Sequence, residues 1–385
     1  MNRGTLALLG SALALAACSD VQDPTSARPA PGETVRSAAP GRAIPGSYVV
    51  VLKEGADPRS VAAIAQVSPR YVYTAAINGF AAELNQGQLN ALQHNPAVEY
   101  VEEDAVVQSA TTQSGATWGL DRIDQRALPL SGTYNYTSTG STVYAYVIDT
   151  GIQTSHAQFG GRAAVSYDAL GGNGQDCNGH GTHVAGTIGS ATYGVAKQVR
   201  LRAVRVLNCS GGGTSSGVIA GIDWVRLNRT NPAVANMSLG GGYSSAQNTA
   251  VTNLVNSGVY LAVAAGNENQ NACNVSPASA PAVTTVGASD RTDLRASFSN
   301  YGSCVDIYAP GVSITSTWLN GGTNTISGTS MASPHVAGVA ALYKAVYGNA
   351  TQSTINSWLV NNSTLDVIRS NISGTPNRLL YKAAL

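Results

Sequence analysis

Five short stretches in the middle of the chain are predominantly apolar: 144–149, 201–207, 234–239, 260–265 and 283–288. A strand with one solvent face alternates apolar and polar residues. Predominantly apolar runs of this length instead fit strands covered on both faces, as in parallel sheets. Between them, 217–227 and 246–255 carry apolar residues at helical spacing. The alternation predicts an α/β domain, a mostly parallel sheet flanked by helices with right-handed crossovers. In such sheets functional groups gather at the carboxyl ends of strands. Asp149 closes the first of the five runs. No repeat of 20 to 50 residues is visible.

The N-terminal part has a different rhythm. Residues 47–53 read as a strand, and Asp57-Pro58 as the start of a helix with Pro in its first turn. Residues 71–84 read as two strands around an Asn78-Gly79 turn. Residues 88–94 form a second helical piece, and 98–107 a last strand. The order β-α-β-β-α-β predicts a small ferredoxin-like α+β domain. Residues 19–43, rich in Pro, Ala, Ser and Gly, read as a flexible tether. The first 18 residues are a targeting signal, with Arg3 ahead of the apolar stretch 6–17. That stretch is too short to span a bilayer, and no other reaches 18 apolar residues, so no transmembrane helix is expected. The signal ends in Leu15-Ala16-Ala17-Cys18, which looks like a bacterial lipobox with Cys18 as the lipidated residue. The expected segments are a signal at 1–18, a tether at 19–43, a small domain at 44–110 and a large domain at 111–385.

Charge narrows the partners. Charged residues make up 11% of the chain, the net charge is +1, and no basic run stands out, so nucleic acid is not an expected partner. Four cysteines follow Cys18: Cys177, Cys209, Cys273 and Cys304. An even number behind a secretion signal implies two disulfides, with three pairings open.

Three separated segments carry candidate chemistry: Asp149-Thr150-Gly151, His180-Gly181-Thr182-His183 and Gly328-Thr329-Ser330-Met331-Ala332-Ser333-Pro334. A nucleophilic serine needs a base to take its proton and a carboxylate to orient that base. Each segment has a plainer reading. An aspartic protease dyad needs two Asp-Thr-Gly loops, and the chain has one. His180 and His183 have the spacing of metal ligands, but no Cys or carboxylate cluster flanks them. Ser330 alone reads as a helix N-cap. An α/β-hydrolase elbow requires Gly where Ala332 stands, and an Asp and His after the serine. The later His335 shares the helix of Ser330 and cannot swing back to it. Of the five histidines, His94 falls in the small N-terminal domain and His156 reads as a surface loop residue. The pair His180 and His183 is left to supply the base. The order Asp, His, Ser is one of three layouts of this triad.

These segments resemble the subtilases, and within them the proteinase K and aqualysin-like branch. The resemblance covers about 44–385. It implies Asp149, His180 and Ser330 as the triad, and Asn267 as a side-chain oxyanion donor beside the Ser330 N–H. The N-terminal module resembles the inhibitory propeptide of that family, with cleavage near Thr111. The glycines of Gly211, Gly212 and Gly213, and of Ser238, Leu239 and Gly240, allow close approach of an extended substrate backbone. By resemblance the first-subsite pocket is walled by Ser238 to Gly240 and by Ala264, Ala265 and Gly266. Those walls carry no charge, so large apolar or aromatic side chains are expected there. Val275 stands where relatives usually carry a Tyr. The resemblance selects the pairings Cys177–Cys209 and Cys273–Cys304. It also implies structural Ca²⁺ at the carbonyls of Pro281 and Val283 with Asp306, and at Asp121, Asp124 and Gln125. No catalytic cofactor is implied. The expected protein is a secreted, monomeric serine endopeptidase, made as an autoprocessed precursor at the cell envelope. Its expected partners are protein or peptide substrates and its own propeptide. A silent lipoprotein binding module and an esterase on the same triad are the alternatives.

Overall fold

The computed structural model describes residues 35–37, 43–105, 107 and 110–385; Cys18 lies outside them. The chain divides into two compact units, one ending at Val106 and one running from Val107 to Leu385. No helix among the described residues is long and apolar enough to cross a membrane.

The first unit contains β1 (Val35–Arg36), β2 (Ala43–Leu52), α1 (Pro58–Ile64), β3 (Tyr71–Tyr73), β4 (Gly79–Glu83), α2 (Gln86–Gln93) and β5 (Val98–Ala105). Its sheet order is β1-β5-β2-β4-β3, and β2 to β5 follow the expected β-α-β-β-α-β path. Asp57 caps α1 by accepting the Ser60 N–H at 2.9 Å, and Asn85 and Gln88 form a capping box on α2. Val50, Phe80, Leu92 and Val101 form the fully buried centre of its core. Two expectations change. β1 pairs in parallel with β5 inside the stretch read as a tether. The β3–β4 connection is residues 74–78, with Tyr73 opposite Gly79, so Asn78-Gly79 is not the turn. Asn78 instead donates to the carbonyls of Lys53 and Ala56. A β-carbon on Gly79 would lie 2.1 Å from Val50 O, so that glycine serves the close approach of β4 to β2.

In the second unit, β6 (Thr111–Ser114) pairs with β7 (Thr133–Tyr136) around α3 (Trp118–Asp124). Then come β8 (Tyr144–Asp149), β9 (Ala163–Asp168), α4 (His180–Gly189), β10 (Arg200–Arg205), α5 (Ser215–Asn228), β11 (Ala233–Met237), β12 (Gly241–Gly242), α6 (Ser245–Asn256), β13 (Tyr260–Ala264), β14 (Val275–Ser276), β15 (Thr284–Ser289) and β16 (Ile307–Pro310). The chain ends through β17 (Ile314–Thr317), β18 (Thr323–Ile326), α7 (Thr329–Tyr347), α8 (Gln352–Asn362), β19 (Thr364–Leu365) and β20 (Arg378–Leu379). The main sheet has the order β19-β20-β16-β15-β13-β11-β8-β10-β9. Every neighbouring pair is parallel except β19 with β20.

The five apolar runs of the sequence are the centre of this sheet, shifted by one or two residues. Alternate side chains enter two separate cores. Ala145 and Val147 pack with Val184, Val336 and Ala340 of α4 and α7, while Tyr146 and Ile148 pack with Ile222, Val225 and Leu254 of α5 and α6. Both faces are therefore covered, which is why period-two alternation is missing from the sequence. Burying each such side chain contributes roughly 1.5–3 kcal/mol. From β8 the chain goes to β9 and β10 on one side, then to β11, β13 and β15 on the other. The strand order thus reverses beside the carboxyl end of β8, where such sheets open a crevice.

Candidate active site

Asp149 is the last residue of β8 and is fully buried. Its Oδ1 accepts the Thr150 N–H at 2.7 Å and lies 2.7 Å from His180 Nδ1. His180 opens α4 and keeps a quarter of its side chain exposed. The close approach of the two elements depends on Gly181, where a β-carbon would sit 2.1 Å from Gly151 O. Asp176 organises the same corner. It accepts the N–H groups of Asn178, Gly179 and Thr182 and the hydroxyls of Thr150 and Thr182. A carboxylate at a helix N-terminus satisfies donors that the helix leaves unpaired. Burial disfavours the charged form of His180, but the charge and hydrogen bond of Asp149, with Asp176 behind, outweigh it and raise the pKa above the ordinary 6.5.

The other histidines are occupied elsewhere. His183 is fully buried, with Nε2 facing the carbonyls of Ile314 and Asn324, and burial pushes its pKa down to about 4. His335 is held on Met331 O and is likewise pushed to about 4 by burial. His156 is not a surface residue. It is 4% exposed, accepts the Gln158 N–H and contacts Gly322 O, because its loop turns inward through a short 3₁₀ helix at Ala157–Phe159.

Ser330 is the second residue of α7, whose first four turns are almost wholly buried. Pro334 has no N–H to give to the carbonyl of Ser330 four residues earlier. The Ser238 hydroxyl donates to that carbonyl instead, at 2.8 Å. In return the Ser330 hydroxyl donates to Ser238 O at 3.0 Å. No hydrogen bond joins Ser330 to His180 among the described residues; catalytic contacts of this kind are commonly long without substrate and tighten when it binds.

Asn267 follows β13 in an exposed loop. Its Oδ1 accepts both the N–H and the hydroxyl of Thr329, at 2.8 and 2.9 Å, which leaves Nδ2 free to donate outward. A β-carbon placed on Gly328 would lie 3.6 Å from Ser330 N and 3.7 Å from Asn267 Nδ2. Both nitrogens thus lie within 3.7 Å of one point, which the absence of a side chain at 328 leaves unfilled. Asn300, fully buried and not anticipated from sequence, shapes this loop. It accepts the N–H groups of Glu268 and Gln270 and donates to Ala265 O and to the Glu268 carboxylate.

The substrate-side expectations divide. A cleft of about 580 Å³ brings Gly211, Gly212 and Gly213 together with Ser238, Leu239, Gly240 and His180. An adjoining pocket of about 410 Å³ is lined by Ser238, Leu239, Gly240, Ala264, Gly266 and Ser330. Ala265 does not line it; it is fully buried in a small core with Ala272 and Val305. Val275 does line it, and pairing of β12 with β14 closes that side. The expectation of an uncharged pocket needs correction. Glu268 lies on its wall, because the loop beyond Gly266 folds back onto Asn300.

Both disulfides form as the resemblance implied, Cys177–Cys209 and Cys273–Cys304. The first ties the loop ahead of His180 to the loop ahead of Gly211, and Asn178 Nδ2 adds a bond to Cys209 O. No group of three or more His, Cys, Asp or Glu side chains able to hold a metal ion occurs among the described residues. Asp306 is mostly buried, has no ion-pair partner among the described residues, and its carboxyl is pushed up to about 6 by burial. It accepts the Thr285 N–H, on the segment that follows Pro281 and Val283. A desolvated carboxylate held to this segment is the kind of hard oxygen donor that suits Ca²⁺. Around the other expected site, Asp121 and Gln125 both accept the Ser131 N–H, so their oxygens converge. Asp124 turns away to Asn135 and to Lys382 Nζ at 3.0 Å.

The chain as a whole is similar to known proteins. The subtilase family model matches residues 140–379, and the peptidase inhibitor I9 model matches residues 47–110. An extracellular serine proteinase of Thermus sp. (strain Rt41A) is 52% identical, covering 99% of this chain and 99% of that one. Proteinase R of Parengyodontium album is 48% identical over 89% of this chain and 90% of its own. A crystal structure of a cold adapted subtilisin-like serine proteinase superposes with a TM-score of 0.69 at 54% identity, covering 71% of this chain and all of that one.

Proposed function

This chain belongs to the subtilase family, and we propose that it is an extracellular serine endopeptidase made as a self-processed precursor. The single observation that best supports the mechanism is the 2.7 Å contact between buried Asp149 and His180, which lines the cleft. Asp149 holds the imidazole with Nδ1–H toward itself, so Nε2 is the base. Ser330 Oγ attacks the peptide carbonyl as its proton passes to Nε2. The Ser330 N–H and Asn267 Nδ2 take the charge that develops on the carbonyl oxygen. The proton then goes to the leaving amine, and water releases the acyl group by the same steps in reverse. Gly211 to Gly213 and Ser238 to Gly240 bind the substrate as an extended strand. The pocket takes large apolar side chains, and Glu268 gives a basic one a partner. Subtilases need no catalytic cofactor, and the family commonly binds structural calcium. In this reading calcium would be held by Pro281 O, Val283 O and Asp306, with a second ion at Asp121 and Gln125; Asp124, already engaged by Asn135 and Lys382, drops out of the expected set. The inhibitor-like N-terminal unit assists folding and blocks the site until cleavage near Thr111.

Mass spectrometry of the purified protein beside its Ser330→Ala variant tests this. The wild type yields a chain starting near Thr111, and the variant stays joined. Equal processing in both, with no other protease present, overturns self-processing. Labelling by a fluorophosphonate excludes a silent binding module, and cleavage of peptide bonds as well as esters, both lost in Ser330→Ala, excludes an enzyme restricted to esters.

A further inference from the structure

Behind the nucleophile, four polar groups form one connected chain. Ser333 Oγ donates to Asn236 Oδ1 at 2.7 Å. Asn236 Nδ2 donates to Ser238 Oγ at 2.8 Å, and Ser238 Oγ donates to Ser330 O at 2.8 Å. Asn236 and Ser333 are fully buried and Ser238 nearly so. Asn236 stands in β11 among Ala233, Val234, Ala235 and Met237, a strand otherwise entirely apolar. A buried amide there is costly unless its groups are paired. Here every group is paired, and the chain runs in one direction.

The two ends of this chain both lie on α7. Ser330 and Ser333 are three residues apart, on neighbouring positions of one helix face. The two middle members, Asn236 and Ser238, are two residues apart, which places them on one side of their strand. The relay therefore clamps the first turn of α7 to β11 and its continuation. Pro334 makes the clamp available, because an ordinary residue at that position would claim the Ser330 carbonyl for the helix.

We propose that Asn236 and Ser333 are positioning residues for Ser330. Neither touches substrate. They act by holding the Ser330 carbonyl, and with it the backbone from which the nucleophilic hydroxyl and one oxyanion N–H project. His180 and Asn267 sit on other elements, so a slip of this turn misplaces Ser330 relative to both. The inference rests on the peptidase reading above, and it concerns turnover rather than substrate affinity.

The test uses full-length protein, allowed to mature, with active sites counted by fluorophosphonate titration. Ser333→Ala lowers kcat per titrated site by about tenfold, since small misplacements of reacting groups are costly. KM stays within about twofold, and the rate of fluorophosphonate labelling falls with kcat. The midpoint of the acid limb of the pH profile does not move, because the relay does not touch His180 or Asp149. Ser333→Thr, which keeps the hydroxyl, restores most of the rate. Adding Asn236→Ala to Ser333→Ala costs little more, as expected for members of one chain. Should Ser333→Ala not mature, Ser238→Ala cuts the same relay nearer the surface and shows the same loss. A lower melting temperature with unchanged kcat per titrated site overturns the proposal. A wild type that is neither labelled nor active overturns the peptidase reading, and the relay with it.

Discussion

Asp149 and His180 meet at 2.7 Å although 31 residues separate them and they sit on a strand end and a helix start. The same Asp149 oxygen is already fixed by the N–H of Thr150. The carboxylate is thus set by its own turn, and the imidazole is oriented by it. Asp149→Asn keeps the shape but removes the charge and favours the wrong tautomer. The expected loss in kcat is on the order of 10⁴-fold, read by peptide hydrolysis per titrated site. A loss below tenfold contradicts the assigned role.

The pH profile carries a second prediction. His180 acts as base only when neutral, and its pKa is raised above 6.5. Activity therefore rises with pH through a midpoint above 6.5 toward an alkaline plateau. Asp176→Asn removes one of the charges that favour the imidazolium, so its midpoint shifts down. The linked stability has the opposite slope. Protonated His180 stabilises the fold below about 6.5, and that contribution is lost as pH rises through the raised value. A midpoint unmoved or raised in Asp176→Asn refutes the electrostatic account.

Glu268 on the pocket wall predicts a specificity change. Glu268→Gln lowers kcat/KM for substrates with Lys at the first subsite by about two- to fivefold, and leaves Leu and Phe substrates nearly unchanged. The modest size follows from the exposure of the carboxylate, since such pairs contribute roughly 0.2–1 kcal/mol. Equal effects on Lys and Leu substrates argue that the carboxylate does not meet the side chain.

Calcium removal is expected to destabilise the protein. Chelation lowers Tm in wild type, and Asp306→Asn shows a smaller drop because one carboxylate donor is already lost. A ligand held at 100 times its Kd contributes about 2.7 kcal/mol. Identical melting with calcium and with chelator removes the ion from this account.

The disulfide Cys177–Cys209 links two sides of the cleft across a sequence separation of 32. Replacing both cysteines by Ala costs about 3–4 kcal/mol in the chain-entropy model. KM rises as well, because the glycine edge at 211–213 is no longer tied to the His180 loop. Unchanged KM would restrict the bond to a stability role.

Much of this was legible in the chain because the determining physics is local. Strands buried on both faces have to be apolar at successive positions, and the five runs mark the sheet centre. Pro58 after Asp57 marks a helix start wherever it occurs. Asp149, His180 and Ser330 are flanked by small residues because their elements pack closely, so their segments are distinctive. What stayed hidden depends on partners distant in sequence. Asn78-Gly79 has the composition of a turn, yet the nearby backbone of β2 uses that glycine for close approach. His156 looked like a loop residue until its loop folded inward. Glu268 and Asn300 are ordinary polar residues until the loop after β13 brings a carboxylate to the pocket wall. Asp176 and Asn236 are chosen by the unpaired donors and acceptors around them, which exist only once α4 and α7 lie against the sheet. The sequence by itself determined the elements and the chemical groups, since both follow from residue type and local spacing. Only the tertiary structure decided which groups share a hydrogen bond and which pocket carries a charge, because those depend on distances between segments that no spacing along the chain contains.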